Sequence, residues 1–187
     1  MRKAIQSALI ILLLTSTALA LPKKPGADEV LKEAKQKSVE QKKPIFLVFG
    51  ASWCEACHQL VRFLAVPEIA AIFEKHFVLA NLSVGEVAAG HPERDNPGAD
   101  LVMMKYGGIG PGGDAGLPFI AVIDANFKLI ASSIEPGKNK GASDGTGYPT
   151  SPGEIRWFLT MLRRADPAIT DDESEALVKE LQKEAAE

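Results

Sequence analysis

Cys54 and Cys57 are the only cysteines in the chain, and they stand in the run Phe49-Gly50-Ala51-Ser52-Trp53-Cys54-Glu55-Ala56-Cys57-His58. Two thiols three positions apart, after an apolar strand and at the start of a helix, suit thiol–disulfide exchange. A thiolate at a helix N-terminus is stabilised by the positive end of the dipole and by unpaired N–H groups. A second thiol one turn later can attack a mixed disulfide formed at the first and close the ring. A purely structural bridge fits less well. Closing so short a loop removes little unfolded-state entropy, roughly 2 kcal/mol against about 3 to 5 kcal/mol for longer loops.

Two other chemistries share these residues. Cys54-Glu55-Ala56-Cys57-His58 is a literal Cys-x-x-Cys-His, the attachment pattern of c-type haem, with His58 as one axial ligand and Met103 or Met104 as the other. Cys54, Cys57 and His58 also offer three donors to copper or zinc, although a closed structural zinc site takes four ligands. His76 and His91 have no partner at ligand spacing and read as ordinary surface or helix-end histidines. The reading carried forward has no cofactor and no metal. Glu55 and His58 enter it as modulators of the thiols, because a carboxylate beside Cys54 opposes its thiolate.

The elements that must position the pair follow from apolar periodicity. Asp28 is placed to cap a first helix, with Val30, Leu31 and Ala34 on one face, and Pro44 ends it. Residues 45–49 form a continuous apolar run, as in a central strand buried on both faces. A helix is predicted over 54–65, broken at Pro67 and resumed over 68–75, with a strand over 77–83. Residues 85–98 read as a surface loop and 99–106 as a short helix. Six glycines in 107–116 make a tight or flexible approach to a strand at 118–123. The turn 124–126 joins that strand to 127–132 as a hairpin. A second long loop, 133–151, precedes two helices, each announced by a capping box: Ser151-Pro152-Gly153-Glu154 and Thr170-Asp171-Asp172-Glu173.

The order α-β-α-β-α-β-β-α-α predicts an α/β fold with a mixed four- to five-stranded sheet, helices on both faces, two extra loops and a C-terminal helix pair. Phe46, Phe49, Phe63, Phe119 and Trp157 read as core. The segments 94–96 and 138–148 read as solvated turns. Arg163 and Arg164 sit where they offset a helix dipole.

The chain ends bound the compartment and partners. Arg2 and Lys3, the apolar run 8–14 and Ala18-Leu19-Ala20 make residues 1–20 read as a cleaved secretory signal peptide. Residues 21–27 follow as a linker and 28–187 as a single domain, with a core over 28–135 and C-terminal helices over 152–186. Beyond the signal, no segment is apolar enough for a membrane span. The formal charge of −3 becomes −5 without Arg2 and Lys3, which disfavours nucleic acid and anionic membrane as partners. An exported chain, periplasmic or secreted, also works where disulfides persist.

On these residues the chain resembles the thioredoxin superfamily over about 28–135. Trp53-Cys54-x-x-Cys57 follows a strand and opens a helix, Lys105-Tyr106-Gly107 closes the next helical segment, and Gly116-Leu117-Pro118-Phe119-Ile120 opens the hairpin. The resemblance is to secreted thioredoxin-like proteins with extra loops. It implies that Cys54 is the exposed nucleophile and Cys57 the buried resolving thiol. It implies that Trp53 covers one side of the site and that Pro118 matches a cis proline beside the dithiol. Leu117 would offer backbone hydrogen bonds to an extended substrate chain. Two departures stand out: Val48 occupies the place of a buried Asp, and Glu55-Ala56 separates the cysteines where thioredoxins have Gly-Pro. The implied function is an exported thiol–disulfide oxidoreductase acting on protein thiols or disulfides with a membrane redox partner. Reductant or carrier duty is favoured over oxidant, since no large helical insert stands before Pro118. The alternative is a non-catalytic module of the same fold, using the dithiol as a redox-sensitive or metal-binding clip.

Overall fold

The computed structural model describes residues 24–110, 112–137 and 145–184. The signal-peptide expectation falls on residues outside this set. The elements, in chain order, are α1 (Ala27–Gln41), β1 (Ile45–Gly50), α2 (Glu55–Ala65), α3 (Pro67–His76), β2 (Val78–Ser83), α4 (Ala99–Lys105), β3 (Phe119–Ile123), β4 (Leu129–Ser132), α5 (Pro152–Ala165) and α6 (Asp171–Glu184).

Four strands form one mixed sheet in the order β2-β1-β3-β4. β1 pairs parallel with β2 and antiparallel with β3, and β3 pairs antiparallel with β4. The β-α-β start and the terminal hairpin are therefore as the sequence predicts. Alternation along β1 splits its side chains between two cores. Phe46 and Val48 face a layer built from α2, α3, α5 and α6. Ile45, Leu47 and Phe49 face the opposite layer, with Ala27 and Ala34 of α1 and Met103 of α4. Phe46, Phe49, Phe63 and Phe119 are fully buried, and Trp157 donates its Nε1–H to the Ser132 carbonyl at 3.1 Å.

Helix ends obey local chemistry, with some shifts from expectation. α1 is capped by Gly26, not Asp28; the Glu29 carboxylate accepts the Gly26 N–H at 3.0 Å. The α2–α3 bend measures 86°, with Pro67 at the first position of α3, where its missing N–H costs nothing. Both C-terminal capping boxes form: Ser151 with Glu154, and Thr170 with Glu173. β4 begins only at Leu129, because Phe127 takes a left-handed φ of 62° and a register shift falls between Val122 and Ile123.

Several expected surface features are built into the fold. His76 is 2% exposed; its Nδ1 lies 2.7 Å from Asp166 and its Nε2 3.2 Å from Glu173, tying α3 to both ends of the α5–α6 connection. Arg163 does not merely offset a dipole: it donates to Ser174 Oγ and pairs with Asp171 at the start of α6. Arg164 stacks over Trp157. Tyr148, at the end of the second loop, is buried against Phe63. Asn96, expected in a solvated turn, is buried; it accepts the Ser83 N–H at 2.7 Å and donates to the Pro25 carbonyl at 2.9 Å. Lys24, in the expected linker, donates to Ser83 Oγ and to the Arg94 carbonyl.

Candidate active site

Gly50 ends β1 and Cys54 caps α2, so residues 51–53 form the loop that carries the thiol pair. Cys54 has extended backbone (φ −88°, ψ 107°), and its sulfur accepts the Cys57 N–H at 3.1 Å while its carbonyl accepts the His58 N–H at 3.2 Å. The sulfur thus occupies the place an N-cap oxygen usually takes, at the positive end of α2. Cys54 and Cys57 are joined in a disulfide.

Fractional exposure does not distinguish the two cysteines, 6% for Cys54 and 7% for Cys57. Position does. Cys54 lines an apolar cavity of about 680 Å³, together with Trp53, Val84, Met103, Ile109 and Leu117. Cys57 does not line it; it packs with Ala51, Cys54, Ala56 and Leu117 in a small cluster under the loop. Trp53 is half exposed on the cavity wall and donates its Nε1–H to the Gly85 carbonyl at 2.9 Å.

The Leu117–Pro118 peptide is cis. Leu117 reaches both the cavity and the cysteine cluster, so the approach to β3 and the start of α2 meet there. Gly147 packs against this pair from the second long loop: a Cβ there would lie 3.2 Å from Pro118 Cδ and 3.4 Å from the Leu117 carbonyl oxygen. That close approach is open only to glycine without displacement of the neighbours.

The expected modulators face outward. Glu55 is 74% exposed at its side chain and engages Arg62 at 3.3 Å and His58 at 3.6 Å. Its carboxylate is therefore paired with Arg62 and lies beside His58 on the outer face of α2. Met103 is buried on the cavity wall, whereas Met104 is exposed. Among the described residues, no group of three or more His, Cys, Asp or Glu side chains is arranged to hold a metal ion.

Val48, at the position of the implied buried Asp, lies in the apolar core. The buried acid near the pair comes from elsewhere. Glu86, 2% exposed, accepts the Ser52 N–H at 2.6 Å and the Ser52 hydroxyl at 2.7 Å. Burial opposes its charge, but the two Ser52 hydrogen bonds, with Arg94 and Lys24 in electrostatic reach, hold its carboxyl below the ordinary range. Sequence reading missed Glu86 because it sits in a 3-10 turn with no periodicity; a lone acid after Gly85 and before Val87-Ala88-Ala89 is the only signal.

The fold and this site define a class: a thioredoxin-like sheet with a disulfide-forming Cys-x-x-Cys at a helix N-terminus, packed against the Leu117 that precedes a cis proline. Residues 28–125 match a family model described as thioredoxin-like, and the chain belongs to that family, whose oxidoreductase site it carries as the Cys54–Cys57 disulfide. No curated protein matches the chain. Solved structures similar to it include the disulphide isomerase from Xylella fastidiosa Temecula1, 23% identical over 87% of this chain and 98% of that one, with a TM-score of 0.47. A DsbH oxidoreductase is 19% identical over 84% of this chain and 95% of its own, TM-score 0.41. A thiol:disulfide interchange protein of the thioredoxin family from Chlorobium tepidum TLS is 20% identical over 68% and 83%, TM-score 0.35.

Proposed function

We propose that the chain is an exported thiol–disulfide oxidoreductase acting on protein thiols or disulfides through Cys54 and Cys57. The observation that carries this is the placement of the Cys54 sulfur. It caps α2, takes the Cys57 N–H at 3.1 Å and opens on the apolar cavity beside Trp53. In the reduced protein the same N–H and helix dipole stabilise a Cys54 thiolate. That thiolate attacks a substrate disulfide sulfur, the substrate S–S bond breaks, and one substrate thiolate leaves. Cys57 then attacks the mixed disulfide, releasing the second substrate thiolate and restoring the Cys54–Cys57 bond. The reverse sequence oxidises a substrate dithiol. Trp53 and Leu117 border the path of the substrate chain, and Pro118 shapes its floor.

Export is supported by the signal-like composition of residues 1–20, and reductant or carrier duty by the lack of a large helical insert before Pro118. In such a compartment a reductant draws its electrons from a membrane redox partner. No single helix among the described residues is long and apolar enough to cross a membrane.

The test is catalysis of insulin disulfide reduction by dithiothreitol, with the reduction potential of the pair measured in parallel. A potential near about −270 mV supports the reductant reading, and one near about −120 mV overturns that direction in favour of an oxidant. Absence of turnover with an intact dithiol would leave the binding-module reading in its place.

A further inference from the structure

Glu86 sits behind the loop that carries the disulfide, and its geometry constrains both that loop and the charge around it. Its two oxygens receive two donors from one residue, the Ser52 N–H and the Ser52 hydroxyl. A carboxylate accepts both at once, whereas a protonated acid has to donate from one oxygen. Ser52 is two residues from Cys54, so chain geometry keeps this carboxylate within roughly 10 Å of the Cys54 backbone. Glu86 is itself fixed: its N–H donates to Asp95 at 3.0 Å, and the neighbouring Gly85 carbonyl receives Trp53.

We propose that Glu86 is a positioning residue for thiol chemistry at Cys54: its carboxylate pins Ser52, and its fixed negative charge opposes the thiolate that the α2 N-terminus favours. This rests on the reading of Cys54 as the attacking thiol. The charges facing the site from each element are consistent with a net opposing field. Glu55 on α2 is engaged by Arg62 and His58. Asp95 and Asp100 belong to the cavity lining. Lys24 and Arg94 offset Glu86 in part. A thiolate held back in this way moves the pair from the oxidising end of the range, where the attacking thiolate is most stabilised.

The experiment uses the full chain carrying Cys57→Ser, so that Cys54 is the sole thiol. Its thiolate attacks 4,4′-dithiodipyridine; the Cys54 sulfur bonds to one pyridyl sulfur, the S–S bond breaks and thiopyridone leaves. The rate against pH yields a midpoint and a plateau. Glu86→Gln removes the charge while keeping an acceptor and the side-chain volume, and its midpoint falls by about 0.5 to 1 pH unit. Ser52→Ala keeps the charge and loosens the grip; its plateau falls about threefold or more with the midpoint unchanged. A folded Glu86→Gln chain whose midpoint matches its parent overturns the proposal. Should Glu86→Gln fail to fold, Ser52→Ala decides: an unchanged plateau overturns it, a lowered plateau at the parent midpoint supports it. No substrate protein enters the assay, so a chain inactive on insulin but showing both shifts would sink the enzymatic reading and leave this one standing.

Discussion

Gly50 and Cys57 meet where β1 ends: a Cβ on Gly50 would stand 3.2 Å from the Cys57 sulfur and 3.4 Å from its Cβ. The central strand runs directly under the second cysteine, and a side chain at position 50 would press on it. Gly50→Val crowds the cluster of Ala51, Cys54 and Cys57 and costs about 1 to 3 kcal/mol, read as a lower urea midpoint for the oxidised chain. An unchanged midpoint would mean that α2 moves aside freely.

The two cysteines share the same low exposure, but only Cys54 lines the cavity. Cys54→Ser is therefore expected to abolish insulin reduction. Cys57→Ser is expected to accumulate a mixed disulfide between Cys54 and its substrate, visible by mass spectrometry on a non-reduced sample. A Cys54→Ser chain that keeps full turnover would reverse the roles.

Phe63 couples α2 to the far side of the molecule. It is fully buried, with ring centroids at 6.3 Å from Phe73, 6.1 Å from Tyr148 and 6.2 Å from Phe158. Phe63→Ala opens a void shared by three elements and is expected to cost about 3 to 5 kcal/mol in urea denaturation. Phe63→Leu, closer in volume, should lose much less.

The cluster on His76 makes stability depend on acid. Lys75 and the Thr170 N–H, with His76, hold the Glu173 carboxyl at about 2. Asp166, despite the burial that opposes its charge, is held below its usual value chiefly by His76. A carboxyl with a depressed folded-state pKa contributes fully above its unfolded value and loses that contribution as pH falls towards the folded one. The wild-type advantage over Glu173→Gln should thus shrink as the pH falls from about 5 towards 2. Urea midpoints of the two chains at pH 7, 4 and 2.5 check this; a gap that does not narrow would exclude Glu173 as the titrating group.

Much of the architecture was readable one residue at a time. The all-apolar run of β1, the capping boxes at Ser151 and Thr170, Pro67 at the head of α3 and the Cys54–Cys57 spacing are local signals, each set by backbone hydrogen bonding, side-chain period or ring closure within a few positions. These residues sufficed for the order of elements, the mixed character of the sheet and the position of the thiol pair at a helix start. Outcomes that depend on partners distant in sequence were not readable. The loops at 85–98 and 133–151 look polar and solvated in sequence, yet Glu86 grips Ser52 34 positions away, Asn96 bridges to Pro25, and Tyr148 packs on Phe63. His76 lacks any partner at ligand spacing, yet finds Asp166 and Glu173 some 90 positions on. A polar residue in a loop has no periodicity to show which way it points; burial and pairing are decided only when the sheet brings remote segments together. The sequence by itself therefore determined the chemistry available at Cys54 and Cys57. Only the tertiary structure decided which charge stands behind it, because electrostatic reach is set by distance in space and not by distance along the chain.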